Sequence, residues 1–192
     1  MTESHDPNNS SDVTVILTID HREMLELFGR IHTTTDPEER RDLADAGTAE
    51  VMRHSVAEEM FVYPEMEKHL PNGSEEVEHD KKEHDELVQA MKKLEGLEAT
   101  DPAFLDQVSE VEKLLDHHAH DEEDEQFPKL RQHFDQDKLN EMGEKVQQAK
   151  KVAPTRPHPS APHSELFHKT VGAGVGMVDR LRDKLMGRET NS

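Results

Sequence analysis

The sequence predicts an all-α protein: an antiparallel, up-down-up-down four-helix bundle with a short additional helix and a tethered C-terminal amphipathic segment. Three observations carry that expectation. Only 32% of the 192 residues are hydrophobic, 34% are charged, and mean hydropathy is −0.94. Helices suit that balance because each can bury a narrow apolar stripe and keep a wide polar face. Aromatic residues make up 4% and tryptophan is absent, which argues against a large β-sandwich. Four long stretches then carry apolar residues at helical spacing between short turn signals, and short connections make sequence neighbours pack antiparallel.

Residues 1–11 are polar and expected to be flexible. Ser11 or Asp12 can cap a first helix through about His32, with Val13, Ile16, Leu17, Met24, Leu25, Phe28 and Ile31 in line. Asp36-Pro37 is a cap followed by proline in the first helical turn. It opens a second helix past His54 to about Leu70, bent near Pro64. Pro71-Asn-Gly-Ser74 forms a turn, with Ser74 capping a third helix to about Leu97. Its stripe is Val77, Asp80, His84, Leu87, Val88, Met91 and Leu94. Asp101-Pro102 repeats the cap-plus-proline start for a fourth helix, interrupted near Pro128. A shorter piece from Lys138 to Lys151 completes a bundle domain over 12–152. Residues 153–163 are proline-rich and read as an extended linker. The tail, 164–192, holds an amphipathic pattern weakened by Gly172, Gly174 and Gly176.

Charge and residue usage exclude several function classes. The net charge is −20, which disfavours binding nucleic acid or anionic membranes through a broad basic field. From residue 153 onward six basic residues face four acidic ones, so residues 1–152 carry the acidic excess. No cysteine is present, which removes disulfides, thiolate zinc sites and iron–sulfur ligation by this chain. No apolar run is long enough to span a bilayer, and the N-terminus lacks the pattern of a signal peptide. A cytoplasmic protein is expected.

The chemistry lies in a repeat. His54-Ser-Val-Ala-Glu58, running on to Tyr63-Pro64, returns 64 residues later as His118-Ala-His-Asp-Glu122, running on to Phe127-Pro128. Asp20-His21 returns 63 residues later as Glu83-His84. Residues four apart on a helix differ by about 40° and so share a face. Each His-Glu pair continues its helix's apolar stripe, and His21 and His84 lie among Leu17, Leu25 and Phe28 and among Leu87, Val88 and Met91. Four imidazoles and two carboxylates are thereby directed at one bundle axis. Buried carboxylates repel unless protonated or neutralised by cations, and a pair of metal ions resolves the conflict. The other histidines read as surface residues. A ferritin-like Glu-x-x-His occurs at Glu76–His79, one turn from the stripe.

The ordered set His21, His54-x-x-x-Glu58, His84, His118-x-x-x-Glu122 resembles the hemerythrin-like (HHE, cation-binding) domains over about residues 12–150. The resemblance implies an antiparallel four-helix bundle holding a non-haem pair of iron ions. Glu58 and Glu122 would bridge them, the four histidines would complete the ligation, and an oxo or hydroxo bridge (Fe-O-Fe or Fe-OH-Fe) would join them. Oxygen-carrying hemerythrins place a fifth histidine one turn before the third-helix histidine. Here that position is Asp80, a candidate ligand or outer acceptor, while His79 is rotated roughly 140° from His84. The six-ligand set is similar to that of the di-iron proteins of iron–sulfur cluster repair, whose N-terminal cysteine-bearing domain this sequence does not contain.

Imidazole and carboxylate ligands suit iron, with manganese second. Four rather than five histidines leave an open position for a small diatomic or peroxide ligand: O2, NO or hydrogen peroxide. The leading expectation is a di-iron protein that binds or reduces such a ligand in oxidative or nitrosative stress, catalase-like peroxide turnover being one version. An iron store or donor for cluster repair and an O2 or redox sensor without turnover are the alternatives. Asp20, Glu50 and Asp80 are candidate acceptors for the imidazole N–H groups. Tyr63, five residues beyond Glu58, is expected off the ligand face, leaving no proton donor named. The tail is expected to dock a partner or pack on the bundle.

Overall fold

The computed structural model describes residues 11–153; the expectations for residues 1–10 and for the linker beyond Ala153 and the tail lie outside them. Among the described residues the chain is helical, with no strand. The long helices are α1 (Val13–Thr33), α2 (Pro37–Phe61), continued after a break by α3 (Tyr63–His69), α4 (Gly73–Glu95) and α5 (Pro102–Asp121). A π-helical turn, Glu122–Gln126, leads from α5 into α6 (Phe127–His133), and α7 (Gln136–Lys150) closes the described part.

Aspartate caps start four of these elements. Asp12, Asp36 and Asp101 accept from the backbone N–H two residues ahead, and Asp135 from the N–H of Lys138. The start of α4 differs from the expectation. Ser74 lies inside the helix, and Asn72 precedes it in the left-handed region with φ 61° and no side-chain cap. Gly73 makes this possible: a Cβ there would stand 2.0 Å from the carbonyl oxygen of Met66. The end of α3 therefore packs directly on the start of α4, and only a residue without a side chain fits.

The breaks at Pro64 and Pro128 share one cause. A proline ring in a helix lacks a donor and collides with the carbonyl four residues back, here that of Met60 or Asp124. The first repeat relieves this by ending α2 at Phe61 and restarting at Tyr63. The second widens the helix by one residue, Phe127 N–H bonding to the Glu122 carbonyl.

Two apolar clusters make the core. One joins Met24, Phe28, Ile31, Val51, Leu87, Met91, Phe104, Val111 and Leu115; the other joins Val13, Ile16, Leu17, Ala57, Tyr63, Val77, Phe127, Leu130, Met142 and Val146. Along α1 the chain passes from the second cluster to the first at His21. It returns along α2 at His54, passes again along α4 at His84, and rejoins the second cluster beyond His118, at Phe127 and Leu130 of α6. The chain changes cluster at or just beyond each histidine, so the four imidazoles lie in one layer between two dry regions. Helix α1 packs on α2, α5 and α7, and α4 packs on α5 and α3.

Asp12 ties the ends of this arrangement together. It accepts from the backbone N–H and hydroxyl of Thr14 at 2.9 and 2.7 Å and from the Gln136 amide of α7 at 3.0 Å. Burial disfavours its charge, but the hydrogen bonds from Gln136 and Thr14, with Arg131, outweigh that and hold the carboxyl below its usual 3.8. Asp12→Ala is expected to cost about 1–2 kcal/mol at neutral pH. Because the folded pKa is depressed, that contribution is complete above 3.8 and fades as pH falls through the lower folded value. Urea melts of parent and variant across the acid range should converge there.

Candidate metal centre

His21, His54, His84 and His118 are 0–1% exposed, and Glu58 and Glu122 are 0 and 2% exposed. One ligand atom from each of His21, His54, Glu58, His118 and Glu122 lies within 4.8 Å of all the others. His84 adjoins this group, its Nε2 standing 3.3 Å from His118 Nε2 and 3.4 Å from Glu58 Oε2. Glu58 also faces His54 Nε2 at 3.0 Å, and Glu122 faces His21 Nε2 at 3.4 Å and His118 Nε2 at 3.8 Å. Asp80 is buried but outside that group. It accepts from the Gln126 amide at 2.7 Å, and burial, then the charge of Glu122, pushes its carboxyl up to about 7.

Every imidazole turns its Nδ1 outward to a carboxylate. The partners are Glu123 for His21 at 2.9 Å, Asp20 for His54 at 3.3 Å, Glu59 for His84 at 3.0 Å and Glu83 for His118 at 2.9 Å. A carboxylate only accepts, so these contacts fix Nδ1 as the donor and leave the Nε2 lone pair pointing inward. Asp20 is the outer acceptor the sequence suggested. Glu50 is not: it pairs with Arg53 on the partly exposed side of α2. The sequence reading missed Glu59, Glu83 and Glu123. Their signal was in the repeat itself: an acid directly before each first histidine (Asp20, Glu83) and directly after each repeat glutamate (Glu59, Glu123).

The inward atoms are arranged for a cation. Nε2 of His21 and Nε2 of His54 face each other at 3.1 Å, as do those of His84 and His118 at 3.3 Å. With Nδ1 protonated, two lone pairs confront each other in each pair. Neither oxygen of Glu58, nor Oε2 of Glu122, accepts a hydrogen bond. Six carboxylates, two inner and four outer, thus surround four imidazoles, with Lys150 reaching Asp20 from outside. In the bare protein only protons can answer that charge. Burial opposes the charge on His54, yet Glu58 and Asp20 overcome it and raise the pKa to about 9. Glu58 is held well below the usual carboxylate range, chiefly by His54 acting against burial. His118 is raised, Glu122 and Glu58 outweighing burial. A metal ion would displace those protons and occupy the facing lone pairs, so the donor set fits one.

Tyr63 corrects the sequence reading. Its hydroxyl lies 3.2 Å from His84 Nε2 and donates toward Glu122 Oε1 at 3.4 Å, with its ring stacked on His84. In an unbroken helix a residue five beyond Glu58 would point about 140° away. The restart before Pro64 turns it inward, as the π-helical turn before Pro128 turns Phe127 onto His21, with ring planes 5° apart. Burial, then Glu58 and Glu122, push the Tyr63 phenol well above its usual range, so it keeps its proton.

The hemerythrin HHE cation-binding domain family matches residues 12–130. The chain belongs to that family. It is also similar to a hemerythrin-like protein of Schizosaccharomyces pombe, 30% identical over 167 residues covering 86% of this chain and 82% of the relative. No solved structure matches significantly. In this hemerythrin-like chain no described helix is long and apolar enough to cross a membrane.

The outer carboxylates carry their own prediction. Acceptors on ligand imidazoles fix ring orientation, and their loss typically weakens metal affinity about 10–100-fold. Glu59→Gln, read by competition of the metal-loaded protein with a chromophoric chelator, should fall in that range. An unchanged affinity would refute the orienting role.

Proposed function

We propose that this hemerythrin-like protein is a cytosolic di-iron protein that binds or reduces a small ligand, O2, NO or peroxide, in oxidative or nitrosative stress. The observation that carries the reading is the two pairs of facing Nε2 atoms around Glu58, neither oxygen of which accepts a hydrogen bond, and around Oε2 of Glu122, which accepts none either. His21, His54, Glu58, His84, His118 and Glu122 would hold two metal ions, and imidazole with carboxylate favours iron over manganese. Bound there, iron would supply redox and Lewis-acid chemistry to a small oxygen- or nitrogen-containing molecule. The alternating passage of the helices between the two core clusters supports the antiparallel up-down-up-down order, with the bundle over 12–152 followed by linker and tail.

The chain's own residues set the conditions. The apolar clusters on either side, with Phe127 and Tyr63 stacked on His21 and His84, exclude bulk water. The four outer carboxylates hold the imidazoles in the tautomer that presents Nε2. Tyr63 brings an O–H group to the edge of the cluster, where it can give a hydrogen bond to Glu122 or to an incoming ligand. Metal analysis with Mössbauer and optical spectra of the aerobically purified protein tests the reading. Two irons per chain are expected, absent from His54→Ala and Glu122→Ala, with spectra that respond to at least one of O2, H2O2 and NO. Spectra indifferent to all three would sink it. Tyr63→Phe should keep the iron and shift that response.

A further inference from the structure

Asp20 and Glu83 are equivalent members of the outer carboxylate set, each accepting from the Nδ1 of a histidine one helix on. Their remaining oxygens differ. Asp20 Oδ1 accepts from the ammonium of Lys150. Glu83 Oε1 accepts no hydrogen bond, although the residue is only 9% exposed. A buried carboxylate oxygen without a donor is costly, and its counterpart meets that cost with a fixed cation.

What surrounds Glu83 Oε1 is a set of metal-binding groups. His79 Nε2 stands 3.3 Å away and His117 Nε2 3.5 Å away. Asp121 joins them, Oδ2 lying 3.5 Å from His79 Nε2 and Oδ1 3.6 Å from His117 Nδ1. One donor atom each from His79, Glu83 and Asp121 lies within 4.8 Å of the other two. Donors bound about 2.1 Å from a common ion stand roughly 3–4 Å from one another, which these separations approach. The sequence carries the same message. His79-x-x-x-Glu83 and His117-x-x-x-Asp121 are each i,i+4 pairs, and the second is the inner motif His118-x-x-x-Glu122 displaced by one residue. The corresponding residues of the first repeat are Ile16, Arg53 and Ala57, which cannot ligate a metal.

We propose that His79, Glu83 and Asp121, with His117 alongside, form a second, outer site for one divalent transition-metal ion, joined to the central cluster through Glu83. Imidazole and carboxylate donors in this number suit Zn2+ or Fe2+. The site is half exposed at its histidines and adjoins a surface pocket that Glu75, Glu76 and Glu125 also line. That acidic mouth favours cation entry; its Lys129 is engaged by Glu76 at 2.8 Å. An ion held on Glu83 Oε1 draws charge from the carboxylate that orients His118, so its occupancy is felt by the central cluster.

Calorimetric titration of the full-length, iron-loaded protein with Zn2+ should show one further equivalent. The His79→Gln/His117→Gln double variant should lose it or bind it at least tenfold more weakly. Both histidines lie on the surface, so circular dichroism should match the parent. Anomalous scattering at the zinc edge should place the ion between His79, Glu83 and Asp121. In His54→Ala, which disables the central cluster, the same equivalent should persist, so failure of the di-iron reading and failure of the outer site are distinguishable. Unchanged affinity in the double variant, or a zinc peak away from these residues, overturns the proposal.

Discussion

Dialysis of the purified protein against a strong chelator is expected to lower its melting temperature by roughly 8–16 °C. A ligand that binds only the folded state and is present at about a thousand times its dissociation constant stabilises by about 4 kcal/mol. In a domain of this size each kcal/mol is worth roughly 2–4 °C. The structural basis is that protons are the one alternative to a cation at the centre. Without metal, Glu58 and Glu122 remain buried against four imidazoles whose inward lone pairs face each other. Protons must then be taken up on His54 and His118. Calorimetric scans before chelation, after it, and after readdition of ferrous ion measure the effect. A melting temperature indifferent to chelation would mean that the cluster is held by protons alone.

Gly143→Ala is expected to be the most damaging single methyl group that can be added to α7. Its Cβ would stand 1.9 Å from the carbonyl oxygen of Ser11 and 2.8 Å from Ile16 Cδ1. A backbone carbonyl cannot rotate aside as a flexible side chain can, so α7 must lift away from the start of α1. That would disturb Leu139, Met142 and Val146, which are 0–2% exposed, and would pull Lys150 from Asp20. Overpacking of this kind costs about 3 kcal/mol or more, or roughly 6–12 °C in melting temperature. Gly29→Ala is the contrasting case. Its Cβ would meet only Glu112 Oε1 at 3.6 Å, an ordinary contact. Alanine is about 1 kcal/mol better than glycine within a helix, so this variant should melt roughly 2–4 °C higher. If Gly143→Ala melts with the parent, α7 is not seated on the Ser11 carbonyl.

The helices were legible because their caps are written in short-range chemistry. Asp12, Asp36-Pro37 and Asp101-Pro102 each mark a helix start where the structure has one. The third-helix stripe, Val77 through Leu94, is buried at every position named. Ser74 misled because the start of α4 is set by the contact between Gly73 and the end of α3, a tertiary constraint. Tyr63 misled because its direction depends on how the helix relieves Pro64, which periodicity does not state.

By itself the sequence determined which residues share a helix face, because a period of about 3.6 residues and a repeat at 63 and 64 residues are local properties. His54 with Glu58, and His118 with Glu122, had to point together. Which acid meets which imidazole was decided only in three dimensions. Glu123 meets His21 across 102 residues and Glu59 meets His84 across 25, because the helices' crossing brings each Nδ1 to the acid beside a repeat histidine or glutamate on a neighbouring helix. The same crossing left Glu83 Oε1 facing His79 and His117 while Asp20 received Lys150. A near-symmetric repeat therefore folds into an asymmetric site, because partners that do not repeat fill its outer positions.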